Sequence, residues 1–394
     1  TTTNQIPTTS VKETTTKPKP TFTRAHFDEM ELKNNLIRGI YAYGFTAPSI
    51  IQQQAIVPIT QGREIIAQAQ SGTGKTATFT IGSLQRINPK SNKVQVIVLE
   101  PTVDLAKQTA TVIRNLGDFM GVRILECVGG SPLYHDIQKL EKQKPHYIVG
   151  TPGRILKIFQ KKIFNPRDID MMILDEADEM LSEGFEEQMQ AITTRLKKSA
   201  QIMLFSATIS PRTLEIAEMI MENPLSLLLE PEEVSLEGIS QHFVDVEYPK
   251  WKIATLCDLL PQMKISQGII FCNSKKTVIY VAEELEKEGF TTSVVHSGIP
   301  AEERNDLLSK FRFGKIKFLV STDLLARGID VSSVSTVINF DVPGNAATYI
   351  HRVGRCGRFG RKGVALSIIS KNDWKKVKNL ELNNIHLKEL SISQ

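Results

Sequence analysis

Residues 64 to 76 read Glu64-Ile65-Ile66-Ala67-Gln68-Ala69-Gln70-Ser71-Gly72-Thr73-Gly74-Lys75-Thr76. A short apolar run passes without a break into a glycine-bearing loop, and a helical pattern follows. Strand, loop and helix in this order make a phosphate loop. Gly72 and Gly74 let the backbone curl so that its N–H groups and the helix start face phosphate oxygens. Lys75 adds a point charge, and the Thr76 hydroxyl offers a ligand to Mg2+. Ala69, Gln70, Ser71 and Thr73 complete the loop, with Ala69 where such loops usually begin on glycine.

The second half of such a site lies downstream. Met171-Met172-Ile173-Leu174 is a buried-strand run that ends in Asp175-Glu176-Ala177-Asp178. Acidic residues at the carboxyl end of a central strand sit where the ligand crevice of these sheets lies. Asp175 is placed to hold Mg2+, directly or through water, and Glu176 to orient and deprotonate an attacking water. An acidic cluster alone is usually a solvated turn; joined to a phosphate loop it points to hydrolysis of a nucleoside triphosphate. Upstream, Gly44-Phe45-Thr46-Ala47-Pro48-Ser49-Ile50-Ile51-Gln52 follows Phe27. A glutamine amide offers a donor and an acceptor that match the adenine edge, and an aromatic ring such as Phe27 or Phe45 stacks on a base. Beside a phosphate loop, Gln52 favours ATP.

Working outward, apolar runs alternate with helical patterns across residues 25–229, among them Val94 to Leu99, Tyr147 to Val149 and Ile202 to Phe205. That alternation predicts a parallel sheet with crossover helices. Residues 230–241 (EPEEVSLEGISQ) are acidic, carry Pro231 and Gly238 and lack a sustained apolar face, so they read as a linker. A second series follows across 242–394, with strands at Gly268 to Cys272, Thr292 to Val295, Lys317 to Val320, Val334 to Phe340 and Val364 to Ile369. The expected architecture is α/β, two tandem parallel-sheet domains joined by a short linker.

Composition narrows the rest. With 48 Lys+Arg against 43 Asp+Glu the net charge is +5, too small to argue for nucleic acid by itself. Four cysteines without a CxxC pair give neither a disulfide framework nor a zinc module. No apolar run is long enough to span a membrane, and the Thr/Pro-rich residues 1–24 have no apolar core for a signal peptide and little to bury. They read as a disordered leader, and the chain as a soluble protein of cytosol or nucleus.

These residues, taken with others, resemble the DEAD-box RNA helicases of superfamily 2 over about residues 25 to 394. Phe27 with Gly44 to Gln52 is similar to the family's Q motif, Ala69 to Thr76 to motif I, Pro101-Thr102 to the start of motif Ia, Gly129-Gly130 to its double glycine and Thr151-Pro152-Gly153-Arg154 to motif Ib. Ser206-Ala207-Thr208 resembles motif III, Ile270 to Asn273 motif IV, Ser321-Thr322-Asp323 with Ala326 to Asp330 motif V, and His351 to Arg358 motif VI. Asp28-Glu29-Met30, Arg38 to Phe45 and Glu179 to Ser182 look like the group of eukaryotic initiation factor 4A and its nuclear relatives.

The resemblance implies two RecA-like domains and an RNA-stimulated ATPase that clamps single-stranded RNA and opens short duplexes, in translation initiation, or alternatively as an RNA clamp in exon-junction or ribosome-biogenesis assemblies. It implies Lys75, Asp175, Glu176, Arg355 and Arg358 as catalytic residues, the two arginines, three apart on one helix face, serving as arginine fingers. Asp330 is implied as acceptor of the ATP ribose hydroxyl, and Asp178, Ser206, Ala207, Thr208 and His351 as the coupling set. RNA is expected on Pro101, Thr102, Gly130, Thr151, Arg154, Arg304 and Thr322, through phosphates and 2′-hydroxyls and largely without regard to sequence. ATP, Mg2+, a helical-repeat scaffold partner, a monomeric state and cytoplasmic (alternatively nuclear) residence complete the expectation. The chain departs from the family at Val103, where motif Ia has arginine, and at Ala301, where glutamine is usual; both imply fewer RNA contacts.

Overall fold

The computed structural model describes residues 24–70, 72–181, 185–228, 239–263, 265–326, 334–357 and 363–390. The expected leader apart from Arg24, most of the linker, Ser71, Asp330 and Arg358 lie outside the described residues. The first domain carries the strands β1 (Ile65–Gln68), β2 (Val96–Leu99), β3 (Ile124–Cys127), β4 (Tyr147–Gly150), β5 (Met171–Leu174), β6 (Gln201–Ser206) and β7 (Leu225–Leu227). They form one sheet in the order β3-β4-β2-β5-β6-β1-β7, all pairs parallel.

The second domain repeats the plan with β8 (Ile239–Asp245), β9 (Gly268–Phe271), β10 (Thr292–Val295), β11 (Phe318–Ser321), β12 (Thr336–Asn339), β13 (Gly363–Ile369) and β14 (Lys388–Glu389). Its order is β10-β11-β9-β12-β13-β8-β14. Two tandem RecA-like α/β domains are therefore present, as expected.

The strands are continuously apolar because helices cover both faces of each sheet. In β2 all four residues are buried. Val96 and Val98 pack into one core with Phe27, Ile40, Phe79 and Ile113, while Ile97 and Leu99 enter the opposite core with Ile155, Met172 and Ile216. Each such side chain contributes roughly 1.5–3 kcal/mol, so both layers hold the sheet and the strand tips are rigidly placed. One boundary is corrected. β8 begins at Ile239, inside the expected linker, and pairs along its length with β13. Its half-exposed burial pattern beside the two-residue edge strand β14 lacks the unbroken apolar run of the inner strands.

Strand order places the chemistry. β5, β6 and β1 are neighbours, so residues 69–76, Asp175-Glu176 and Ser206-Ala207-Thr208 leave adjacent tips. β3, β4 and β2 are also neighbours, with Leu99 and Cys127 both registered on Gly150; from their tips come Gly129-Gly130, Thr151 to Arg154 and Pro101-Thr102. The nucleotide set and the RNA set of the sequence thus occupy opposite halves of one sheet edge.

The helix Asn34–Ala42, which leads into Phe45 and Gln52, leans on the end of helix Val103–Leu116 through Gly39. A Cβ on Gly39 would lie 2.1 Å from Leu116 O, a backbone atom that cannot swing away. Gly39→Ala is expected to lower stability by about 1–3 kcal/mol, whereas Gly129→Ala, with nothing within 4 Å, should leave it unchanged. Urea unfolding of the two variants checks this; equal midpoints would refute the packing.

Candidate functional site

The loop after β1 turns on two left-handed glycines, Gly72 (φ 86°) and Gly74 (φ 96°). Gly74 caps helix Lys75–Arg86 with no side-chain hydrogen bond, so the first helical N–H groups remain directed at an incoming anion. A Cβ on Gly74 would also meet Gln52 Nε2 at 2.6 Å. Thr73 Oγ1 donates to Gln70 O at 2.7 Å and closes the turn. Ala69 N–H donates to Ser206 O at 3.0 Å, fastening the loop to β6.

Facing this loop, Thr76 Oγ1 lies 3.4 Å from Asp175 Oδ2. Glu176 follows in a left-handed conformation (φ 49°) that is unfavourable for a non-glycine residue, the kind of strain found at functional sites. Lys75 Nζ stands 4.0 Å from Glu176 Oε2, and both atoms are buried without a hydrogen-bond partner among the described residues. Buried polar atoms rarely go unmet. An ammonium and a carboxylate held just short of contact fit a phosphate and a water that would meet each of them. The Thr76 hydroxyl and the Asp175 carboxylate are oxygen donors suited to Mg2+.

The charges are unequal. Burial and then the Glu176 charge push Asp175 up to about 7. Burial also works against Glu176, but Lys75, followed by His351 and Arg355, outweighs it and holds that carboxyl below its usual range. The residue suited to accept a proton from water is thus the one kept ionised. A third carboxyl, Glu100 at the end of β2, is fully buried; it accepts from Thr109 Oγ1 at 2.6 Å, and burial followed by the Asp175 charge raises it well above normal. Sequence reasoning missed it, because one acidic residue before Pro101 carries no spacing signal.

Asp178 gathers the coupling set. Ser206 Oγ donates to its Oδ1 at 2.8 Å and Thr208 Oγ1 to its Oδ2 at 2.6 Å, while His351 Nε2 from the second domain lies 3.0 Å from Oδ2. Ala207 is buried between the two hydroxyl residues. One donor atom each from Glu176, Asp178 and His351 lies within 4.8 Å of the others.

On the adenine side, Gln52 is buried and its Oε1 accepts from Ser49 N–H at 2.9 Å in a capping box, so part of the expected base-reading amide is engaged locally. Phe27 is corrected: it is wholly enclosed, with its ring centroid 6.5 Å from Tyr41 and 6.3 Å from Phe45. It supports Phe45, which is partly exposed and is the ring available to a base.

The expected RNA residues cluster, though not as free cations. Thr102 accepts from Leu105 N–H at 3.3 Å and caps helix Val103–Leu116, with Pro101 beside it. Gly130 (φ 94°) has open space where a side chain would be. Thr151 caps helix Pro152–Gln160 without using its side chain. Arg154 is paired with Asp136 at 2.8 Å and reaches Ser131 Oγ at 3.3 Å. Arg304 joins the domains: its Nη2 lies 2.7 Å from Asp104 Oδ2, while its buried Nε has no partner among the described residues. Thr322 follows β11 at the start of a 3-10 turn, half-buried.

Of the arginine pair expected on one helix face, Arg355 alone is described, and it lies off the helix. Helix Ala346–Val353 stops before Arg355, because Gly354 ends it and Gly357 takes a positive φ of 71°. Arg355 is nevertheless buried, and its Nε donates to His351 O at 3.2 Å. Arg352, to which no role was assigned from sequence, is fully buried and binds Asp323, Asp341 O at 2.7 Å and Asn273 Oδ1 at 2.7 Å. It ties the strand tips of the second domain together.

Because Glu100 holds its proton more tightly folded than unfolded, its contribution to stability is complete below the ordinary carboxylate range and is lost as pH rises toward its raised folded value. Glu100→Gln keeps the shape and has no proton to lose. The difference in melting temperature, variant minus parent, is expected to grow by several degrees from pH 5 to pH 8, about 2–4 °C per kcal/mol for domains of this size. Thermal melts across that range check it; a pH-independent difference would contradict the buried carboxyl.

Residues 49–217 match the DEAD/DEAH box helicase family and residues 251–360 the helicase conserved C-terminal domain. The chain is 48% identical over 357 residues to an ATP-dependent RNA helicase named FAL1 from Eremothecium gossypii, covering 90% of this chain and 89% of that one. It is 46% identical to the FAL1 of Candida glabrata, covering 91% and 90%. Among solved structures, S. cerevisiae Dbp5 bound to RNA and ADP BeF3 superposes with a TM-score of 0.85 at 37% identity, covering 93% of this chain and 96% of that one. A Dbp5 variant bound to a gle1 variant and IP6 gives 0.77 at 36% identity, covering 94% and 96%. With its two matched domains and relatives of this identity over nine-tenths of its length, the chain belongs to the DEAD/DEAH box helicase family and is an ATP-dependent RNA helicase.

Proposed function

We propose that this helicase works as a two-domain clamp, with ATP on the β5-β6-β1 side of the cleft and single-stranded RNA on the β3-β4-β2 side, opening short duplexes locally rather than by sustained translocation. The observation that carries the reading is the reach of His351 across the cleft to Asp178, the carboxylate that Ser206 and Thr208 hold beside the hydrolytic Glu176. Closure of the domains and completion of the catalytic group are then one event.

In this reading Lys75 and the loop N–H groups bind phosphate oxygens, and Glu176, kept ionised, orients the attacking water and takes its proton. Mg2+ held by Thr76 and Asp175 would neutralise charge at the phosphates. Arg355 brings positive charge to the transferring phosphoryl group, a role worth about 10³–10⁵ in rate. Arg358 and Asp330 keep their expected parts as second finger and ribose acceptor. RNA is gripped through phosphates and 2′-hydroxyls by Thr102, Gly130, Thr151, Thr322 and the N–H groups that Arg154 and Arg304 have left over, so affinity falls with salt and depends little on sequence.

For the pathway, the alternative moves ahead of translation initiation. The relatives at 48% and 46% identity carry a helicase's name and not an initiation factor's, which supports a clamp within an RNA–protein assembly, ribosome biogenesis included. Nuclear residence goes with that role and cytoplasmic residence with initiation. A Dbp5 variant is described bound to a gle1 variant; this supports a protein partner, and we read that partner as a helical-repeat scaffold that sets the closed state of an otherwise monomeric chain.

Glu176→Gln is expected to bind ATP and RNA together and to lose turnover; unchanged turnover would sink the assignment of the base. The Arg304–Asp104 pair gives a second expectation. If Asp104 merely repelled RNA, Asp104→Asn would tighten RNA binding. As a fastener of the closed state, its loss should instead lower RNA-stimulated ATPase by about tenfold, and Asp104→Asn with Arg304→Ala together should cost little more than Arg304→Ala alone, a coupling within the 0.5–3 kcal/mol of contacting residues. Steady-state ATPase with RNA, against DNA of the same sequence, reads the parent, the three single variants and the double variant; additive losses would refute the fastener.

A further inference from the structure

Next to the proposed RNA track is an aromatic pair that no step above uses. The helix Leu133–Gln143 begins just after Gly129-Gly130, and its first turn carries Tyr134 and His135. Tyr134 is 55% exposed and His135 is exposed as well, yet their rings lie 4.1 Å apart, centroid to centroid, at 58°. They lean together at the helix end and present a joint aromatic surface to solvent.

A single exposed tyrosine needs no explanation; the placement of this one does. The next residue, Asp136, is buried and locked to Arg154 Nε at 2.8 Å, and Arg154 Nη2 reaches Ser131 Oγ at 3.3 Å. The aromatic pair is therefore flanked in the chain, Ser131 on one side and Asp136 on the other, by both partners of a guanidinium that keeps donors for phosphate. Just before the pair in the chain come Gly130, with open space where a side chain would be, and a helix start that Pro132 leaves without a side-chain cap. Phosphate-directed groups followed within one helical turn by an exposed ring pair are the two parts of a single-strand binding surface: charge that follows the backbone and a π-face that takes a base. Continuity with the phosphate track favours an RNA base over a protein side chain as the occupant.

We propose that Tyr134, backed by His135, stacks one unpaired base of the RNA strand as it leaves the first domain, so that this helicase holds RNA by a base as well as by its backbone. The proposal rests on the RNA side of the cleft assigned above. It makes Tyr134 a specificity-determining residue: every base has a π-face, but purines offer the larger one, so one position of the bound strand should prefer a purine.

The test uses the full chain with ADP BeF3 and a short oligoadenylate, measured by fluorescence anisotropy, with a single abasic site moved along the strand. The parent protein is expected to lose about 5- to 100-fold in affinity at one abasic position, the range of a stacked base. Tyr134→Ala is expected to lose the same factor on intact RNA and to be indifferent to that position, while Tyr134→Phe retains both the affinity and the positional response. A 2-aminopurine placed there should be quenched on binding to the parent and not to Tyr134→Ala. Unaltered affinity of Tyr134→Ala, or a loss that is the same on intact and abasic strands, would overturn the stacking platform while leaving the cleft in place. A parent chain that binds no RNA would overturn the RNA side of the cleft and the platform with it.

Discussion

The contact between His351 and Asp178 is the one on which the rest of the structure depends. Asp178 is a nearly enclosed carboxylate that already accepts Ser206 and Thr208 from its own domain, and the wholly buried His351 completes its shell from the other domain. Removing one partner of a buried hydrogen-bonded pair typically costs about 1–3 kcal/mol, because the remaining group is left without water or partner. Glu176 lies two residues away, and His351 and Arg355 help to hold its carboxyl below the usual range, so in the proposed mechanism the charge of the base responds to closure.

A second fastener, Arg304 to Asp104, crosses on the other half of the sheet edge. The two contacts sit on opposite sides because strand order sends β5, β6 and β1 to one half and β3, β4 and β2 to the other. A ligand on either side that favours the closed arrangement favours the other ligand by the same factor, since coupling free energy is reciprocal. In the proposed clamp, ATP and RNA need not touch to cooperate; they need only share the closed state.

Much of this was legible in the sequence, for a physical reason. A phosphate loop is local: two glycines, a lysine and a hydroxyl act within one turn, so its pattern is read from neighbouring residues alone. The buried inner strands announce themselves as unbroken apolar runs because both of their faces are covered. What stayed hidden depends on distant partners. Nothing near Arg154 or Arg304 in the chain says that Asp136 and Asp104 will claim part of their charge. Phe27 reads as a base-stacking ring until Tyr41 and Phe45 are seen to cover it. The spacing of Arg355 and Arg358 suggested a helix that Gly354 stops short. β8 sits near a sheet edge, half exposed, and so resembled linker.

The central claim is that ATP and RNA close the two domains together through His351 and Asp178. The direct measurement is the distance between one fluorescent label on each domain, read by single-molecule energy transfer with an ATP analogue, with RNA, and with both. The account predicts a short-distance population that dominates only when both ligands are present and that His351→Ala abolishes without unfolding either domain. A closed population of equal size with ATP analogue alone, or one that survives His351→Ala, would contradict it.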